Sequence, residues 1–121
     1  MFKLENLALD IEIDLEPGKY AFNPVSASGK TYLYSVMADI AKIDSTIRVV
    51  STDTYSKTMT IPSNTKLVIF DRFDTSPIDI QIYIPESCIA LFDSKSNYRK
   101  ETWYTLCDIL YTEEGIRVWK V

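Results

Sequence analysis

Leu67-Val68-Ile69-Phe70 is a continuous apolar run that stops at an acid, Asp71. A strand that is apolar on both faces belongs in a sheet covered on both sides, and such strands are most often parallel. Ser87 to Phe92 repeats the pattern and runs into Asp93-Ser94-Lys95-Ser96-Asn97. Ile47-Arg48-Val49-Val50-Ser51 reads as a third strand. Thr31 to Ile43 carries Leu33, Val36, Met37, Ile40 and Ala41 at helical spacing. Arg99 to Tyr111 has the same spacing at Trp103, Leu106, Cys107 and Leu110, which predicts a second helix closed by Gly115. Ile116 to Val121 is the closing strand.

The chain opens differently. From Leu9 to Leu15 apolar and acidic residues alternate, the mark of a strand with one wet face. Glu16-Pro17-Gly18-Lys19 is a turn, and Tyr20-Ala21-Phe22 starts another strand, so a hairpin is expected. Thr52 to Asn64 is polar and reads as a connection with room for a short helix. Thr75 to Glu86 is open to two readings. Ile78, Ile80, Ile82 and Ile84 alternate like a strand, whereas Pro77 and Pro85 suit the ends of a crossover helix, which topology slightly favours. Together these elements predict an α/β fold: a three-layer sandwich with a mainly parallel five-stranded sheet and an N-terminal hairpin, in one domain over residues 1–121.

Composition narrows the chemistry. A chain with 46% hydrophobic and 25% charged residues can bury one core. Its net charge of -4 argues against direct contact with nucleic acid, and no apolar run has the length of a membrane span, so a soluble cytoplasmic protein is expected. The two cysteines, Cys88 and Cys107, fit no metal or redox spacing and read as buried free thiols. With no histidine, triads of the Ser-His-Asp kind are excluded, and acid–base chemistry falls to carboxylates, Lys, Tyr or water.

Ser26-Ala27-Ser28-Gly29-Lys30-Thr31 lies between the strand ending at Phe22 and the helix from Thr31. Backbone N–H groups at a helix start point at an anion, and the helix dipole favours negative charge there. Glycine admits a phosphate close to the backbone, lysine adds a point charge, and a threonine hydroxyl can ligate Mg²⁺. In open α/β sheets ligands sit beyond the carboxyl ends of the strands. Three polar ends are expected there together: Ser26 to Thr31, Asp71 to Asp74, and Asp93 to Asn97.

On these residues the chain resembles the P-loop NTPase superfamily. Ser28-Gly29-Lys30-Thr31 is similar to the end of a Walker A motif, and Leu67 to Asp71 to a Walker B strand. One strand between them, and an N-terminal hairpin, resemble the AAA-type and ABC-type ATPase branch. The resemblance implies bound ATP and Mg²⁺. Ser26, Ala27, Ser28 and Gly29 would supply loop amides, Lys30 would contact the β- and γ-phosphates, and Thr31 with Asp71 would hold the metal. Asp74 stands as the nearest acid for water activation, Asp93 or Ser94 could polarise the water, and Tyr32 or Tyr34 could stack on a base. The chain departs from the family at two places. Pro24 stands where the first Walker A glycine falls, and Arg72 where a catalytic glutamate often follows the Walker B Asp.

The leading expectation is therefore a minimal nucleotide-binding protein with weak or partner-dependent hydrolysis, working as a homodimer or with a protein that supplies a residue in trans. The alternative is a degenerate domain that serves as an interaction or regulatory module without turnover. Each residue also has a structural role open to it. Asp71 can end a strand, Asp74 can cap the next turn, Arg72 can pair with Asp74, and Asp93 to Ser96 can be a solvated loop.

Overall fold

Leu67–Phe70 and Ile89–Phe92 bury all of their side chains. Side chains in a strand alternate between faces, so strands of this kind need cover on both sides. They sit near one end of a mixed sheet in the computed structural model, which describes residues 2–5 (backbone alone), 10–22, 30–77, 79–94 and 104–121. In chain order the strands are β1 (Phe2–Glu5), β2 (Asp10–Asp14), β3 (Gly18–Phe22), β4 (Ile47–Val50), β5 (Thr58–Thr60), β6 (Leu67–Phe70), β7 (Gln81–Tyr83), β8 (Ile89–Phe92), β9 (Thr105–Thr112) and β10 (Gly115–Lys120). One α-helix is present among the described residues, α1 (Lys30–Ala41), with short 3₁₀ turns at Thr52–Thr54 and Phe73–Thr75.

The main sheet has eight strands in the order β1-β2-β10-β9-β3-β8-β6-β4. From β9 through β3, β8 and β6 to β4 every neighbouring pair is parallel. The remaining strands mix directions: β10 is antiparallel to β9 and parallel to β2, and β1 is antiparallel to β2. A separate two-stranded parallel sheet pairs β5 with β7.

Alternation divides the core in two. Leu67, Ile69, Ile89 and Leu91 turn to the first face with Ile11, Ile13, Cys107, Ile109, Ile116 and Val118, and there α1 lays down Leu33, Val36 and Met37. Val68, Phe70, Ala90 and Phe92 turn to the second face, where Ile61, Met59, Tyr55, Phe73, Ile82 and Ile84 cover them. Each large apolar side chain buried in this way contributes about 1.5–3 kcal/mol.

The helix at Thr31, the strands at Ile47, Leu67 and Ser87, and the closing strand all form where the apolar patterns place them. The fold class does not. The expected three-layer sandwich with a mainly parallel five-stranded sheet is replaced by a mixed eight-stranded sheet, and no helical layer lies on its second face among the described residues. The crossovers on that face carry Pro62, Pro77 and Pro85 with β-branched Thr and Ile, which favour extended backbone. They satisfy one another instead, as Gln81 N–H donates to the Lys57 carbonyl and Ile61 N–H to the Tyr83 carbonyl. The favoured helix over 75–86 is thus corrected to β7, and the polar connection before β6 holds an unforeseen strand, β5.

Two further expectations are corrected. The first two sequence strands form no hairpin, because β10 and β9 lie between β2 and β3. The bend at Glu16-Pro17 turns the chain without pairing the strands it joins. The predicted helix over 99–111 is strand β9 over its described part. Cys107 and Ile109 face the core while Leu106 and Leu110 are exposed on the other side. Apolar residues on both faces of one strand mimic a helical spacing.

Candidate functional site at the carboxyl edge

Parallel strands end at a common edge, and β3, β8, β6 and β4 bring their carboxyl ends together there. Backbone bonds set the stagger. Asp71 N–H donates to the Val50 carbonyl (2.9 Å), Asp93 N–H to the Phe70 carbonyl (2.9 Å), and Phe73 N–H to the Asp93 carbonyl (2.6 Å). The residues after three adjacent strands are therefore stitched into one ledge. Helix α1 begins beside it with Lys30 in its first turn.

Lys30 meets Asp93 across this edge, with Nζ 4.0 Å from Oδ1 and both side chains largely buried. Burial pushes the Asp93 carboxyl up from the ordinary range; Lys30 pulls it back, and Asp71 and Asp74 push it further. The backbone N–H of Ser94 also favours its charged form. Asp93 thus feels one lysine and two further carboxylates electrostatically.

Arg72 takes a left-handed backbone conformation (φ 47°, ψ 53°), uncommon outside glycine, and turns the chain sharply after Asp71. Its guanidinium donates to both Asp74 oxygens, Nε to Oδ1 at 3.2 Å and Nη2 to Oδ2 at 3.0 Å. Asp74 is thus held by Arg72, the pairing open to that arginine from the sequence. The Thr75 hydroxyl closes the turn on the Arg72 carbonyl (2.7 Å).

Two tyrosines line the ledge. The Tyr55 hydroxyl donates to the Asp71 carbonyl (2.7 Å), and burial with the charges of Asp71, Asp74 and Asp93 raises its pKa. Its ring meets Phe73 edge-on at 6.0 Å, above the stacked Phe70 and Phe92 (4.5 Å). Tyr34, on α1, is raised by burial and by Asp71, and hydrogen-bonds the Ser51 side chain. Tyr55 had no signal in the sequence, because it sits in a polar stretch whose fold only its partners decide.

Of the expected site residues, the structure brings Lys30, Asp71 and Asp74 within electrostatic reach of Asp93. Thr31 is exposed at the start of α1. Tyr32 is 40% exposed and tilts against Tyr111, centroids 4.8 Å apart, while Tyr34 is drawn inward. Ser26, Ala27, Ser28 and Gly29, with Pro24, lie outside the described residues. Among the described residues no three carboxylates or thiols close around one point as a metal cage. A Mg²⁺ ion that shares its shell with phosphate oxygens and water needs only one or two protein ligands.

No family model, no curated protein and no solved structure matches the chain.

Proposed function

We propose that the carboxyl edge binds the phosphate groups of a nucleoside triphosphate, ATP in the first instance, together with Mg²⁺. The observation that carries this reading is Lys30 in the first turn of α1, 4.0 Å from Asp93 and on the ledge that also holds Asp71. A helix start and a lysine suit an anion. The carboxylates beside them would repel a bare phosphate, so the donor set calls for a divalent cation between the two. Asp71 and Thr31 would hold it, and when bound it would neutralise phosphate charge. Asp93, held partly desolvated, is the group suited to orient or deprotonate a water. Asp74 acts through Arg72, and the exposed Tyr32–Tyr111 pair is a surface on which a base could stack. Hydrolysis would be weak or would depend on a second subunit or a partner protein.

A second reading rests on the same two ion pairs. Lys30–Asp93 and Arg72–Asp74 satisfy each other without a ligand, as they would in a domain that only binds other proteins. No helix among the described residues is long and apolar enough to cross a membrane.

Thermal-shift titrations of the chain with ATP, GTP and ADP, with and without Mg²⁺, separate the readings. A ligand at 100 times its dissociation constant stabilises by about 2.7 kcal/mol. A Mg²⁺-dependent shift with ATP that Lys30→Ala abolishes is expected, and Asp71→Asn should weaken binding only when Mg²⁺ is present. No shift with any nucleotide would leave the interaction module as the answer.

A further inference from the structure

Among the described residues the second face of the main sheet is only half covered. Over β4, β6 and β8 lie the β5–β7 pair and its flanking turns. Over β9 and β10 the alternation that sends Cys107, Ile109, Ile116 and Val118 inward sends Leu106, Leu110 and Trp119 outward. All three are exposed, Leu110 by 45% and Trp119 by 37%. The Val121 N–H bonds the Leu106 carbonyl (3.1 Å), so the ladder runs on and sets exposed Val121 beside them. Contiguous apolar exposure of this kind marks an interaction surface more often than scattered single residues do.

Charge on this face has one dominant sign. Trp119 lies in register between Asp108 on β9 and Asp14 on β2. In the next row Arg117 lies between Leu110 and Glu12, and its Nε is 3.6 Å from the Glu12 carboxylate. Asp10 extends the acidic row of β2, and two further bases stand at its borders by register, Lys19 on β3 and Lys3 on β1 opposite Glu12. Acids therefore frame the apolar strip and leave little uncompensated positive charge.

We infer that this open half-face docks a basic amphipathic protein segment, whose apolar stripe covers Leu106, Leu110 and Trp119 while Lys or Arg residues meet the exposed Asp10 and Asp14 of β2. Charge selects the occupant. A second copy would set acids against acids, and nucleic acid or an anionic lipid surface would be repelled for the same reason. The inference is independent of the nucleotide proposal, and its test uses no nucleotide.

The experiment uses the full chain with Trp103→Phe, which leaves Trp119 the sole tryptophan. The probe is a helical peptide of leucine on one face and lysine on the other, with a leucine/glutamate counterpart. Saturable change in Trp119 emission is expected with the lysine peptide and not with the glutamate peptide. Asp10→Lys with Asp14→Lys should weaken the lysine peptide at least tenfold and let the glutamate peptide bind. Asp39→Lys with Asp79→Lys, both exposed and away from this face, should change its affinity less than twofold. Circular dichroism checks that the variants fold, and Leu110→Ser replaces the double reversal if that variant does not.

Equal weakening by on-face and off-face reversals would overturn the inference, as would absence of saturation. Binding that appears only after Arg99→Ser with Lys100→Ser would assign the face to the chain's own residues 95–103. A concentration-dependent dimer abolished by Leu110→Asp would assign it to a second copy. Either result overturns the external partner.

Discussion

Single residues at two places hold more of the structure than their size suggests. Gly115 opens β10 at φ 146°, and an added Cβ would overlap the carbonyl oxygen of Asp10 on β2. Gly115→Ala should lower stability by more than about 1 kcal/mol, read as a shift in the urea midpoint, because the backbone conformation and the close approach both oppose a side chain. Asp93 is the second. Its folded pKa is raised, so its ionisation costs stability. That contribution is fully present below the ordinary aspartate range and is lost as pH rises through the raised value. Asp93→Asn should therefore gain stability relative to the native chain between pH 4 and pH 7, checked by urea unfolding at both. Lys30→Met should move the Asp93 carboxyl resonance to a still higher titration midpoint, since Lys30 is the charge that restrains it. Both thiols are buried, as expected from the sequence, and burial raises Cys88 to about 11 and, with the charge of Asp108, Cys107 to about 12.

At the scale of elements, β6 and β8 and the helix α1 were legible because their patterns admit one interpretation. Four buried residues in a row fit only a doubly covered strand, and Leu33, Val36 and Met37 fit only one helix face. The stacked rings of Phe70 and Phe92 make the second face the costlier one to disturb. Phe70→Ala should cost about 3–5 kcal/mol in chemical unfolding, and an exposed change such as Tyr83→Ala well under 1 kcal/mol. The elements that misled were those whose apolar residues face two ways. Leu106 and Leu110 belong to a surface strip, Cys107 and Ile109 to the core, and read together they count as helix. Ile82 and Ile84 do face one side, as strand alternation requires, and the topological preference for a crossover helix outweighed the better local signal.

The whole molecule joins a parallel half, whose carboxyl edge carries the candidate site, to an antiparallel-rich half that builds the open face. Hydrogen exchange should reflect that division. Amides of β6 and β8, paired on both sides and buried on both faces, should exchange at rates set by global unfolding. Those of β5 and β7, which pair only with each other, should exchange by local opening at least tenfold faster.

By itself the sequence determined where α1, β4, β6 and β8 lie, which side chains are apolar enough to be buried, and that Lys30, Asp71 and Asp93 would stand at element ends. Those are consequences of local pattern and of the chemistry of single residues. Only the tertiary structure decided which strands are neighbours. The β9–β10 hairpin entering between β2 and β3 breaks the expected first hairpin, and no local signal encodes it, because β10 pairs with residues 105 positions away and β9 with residues 85 away. The same holds for the ledge. Lys30 reaches Asp93, and Tyr55 reaches Asp71, only because β3, β8, β6 and β4 end side by side.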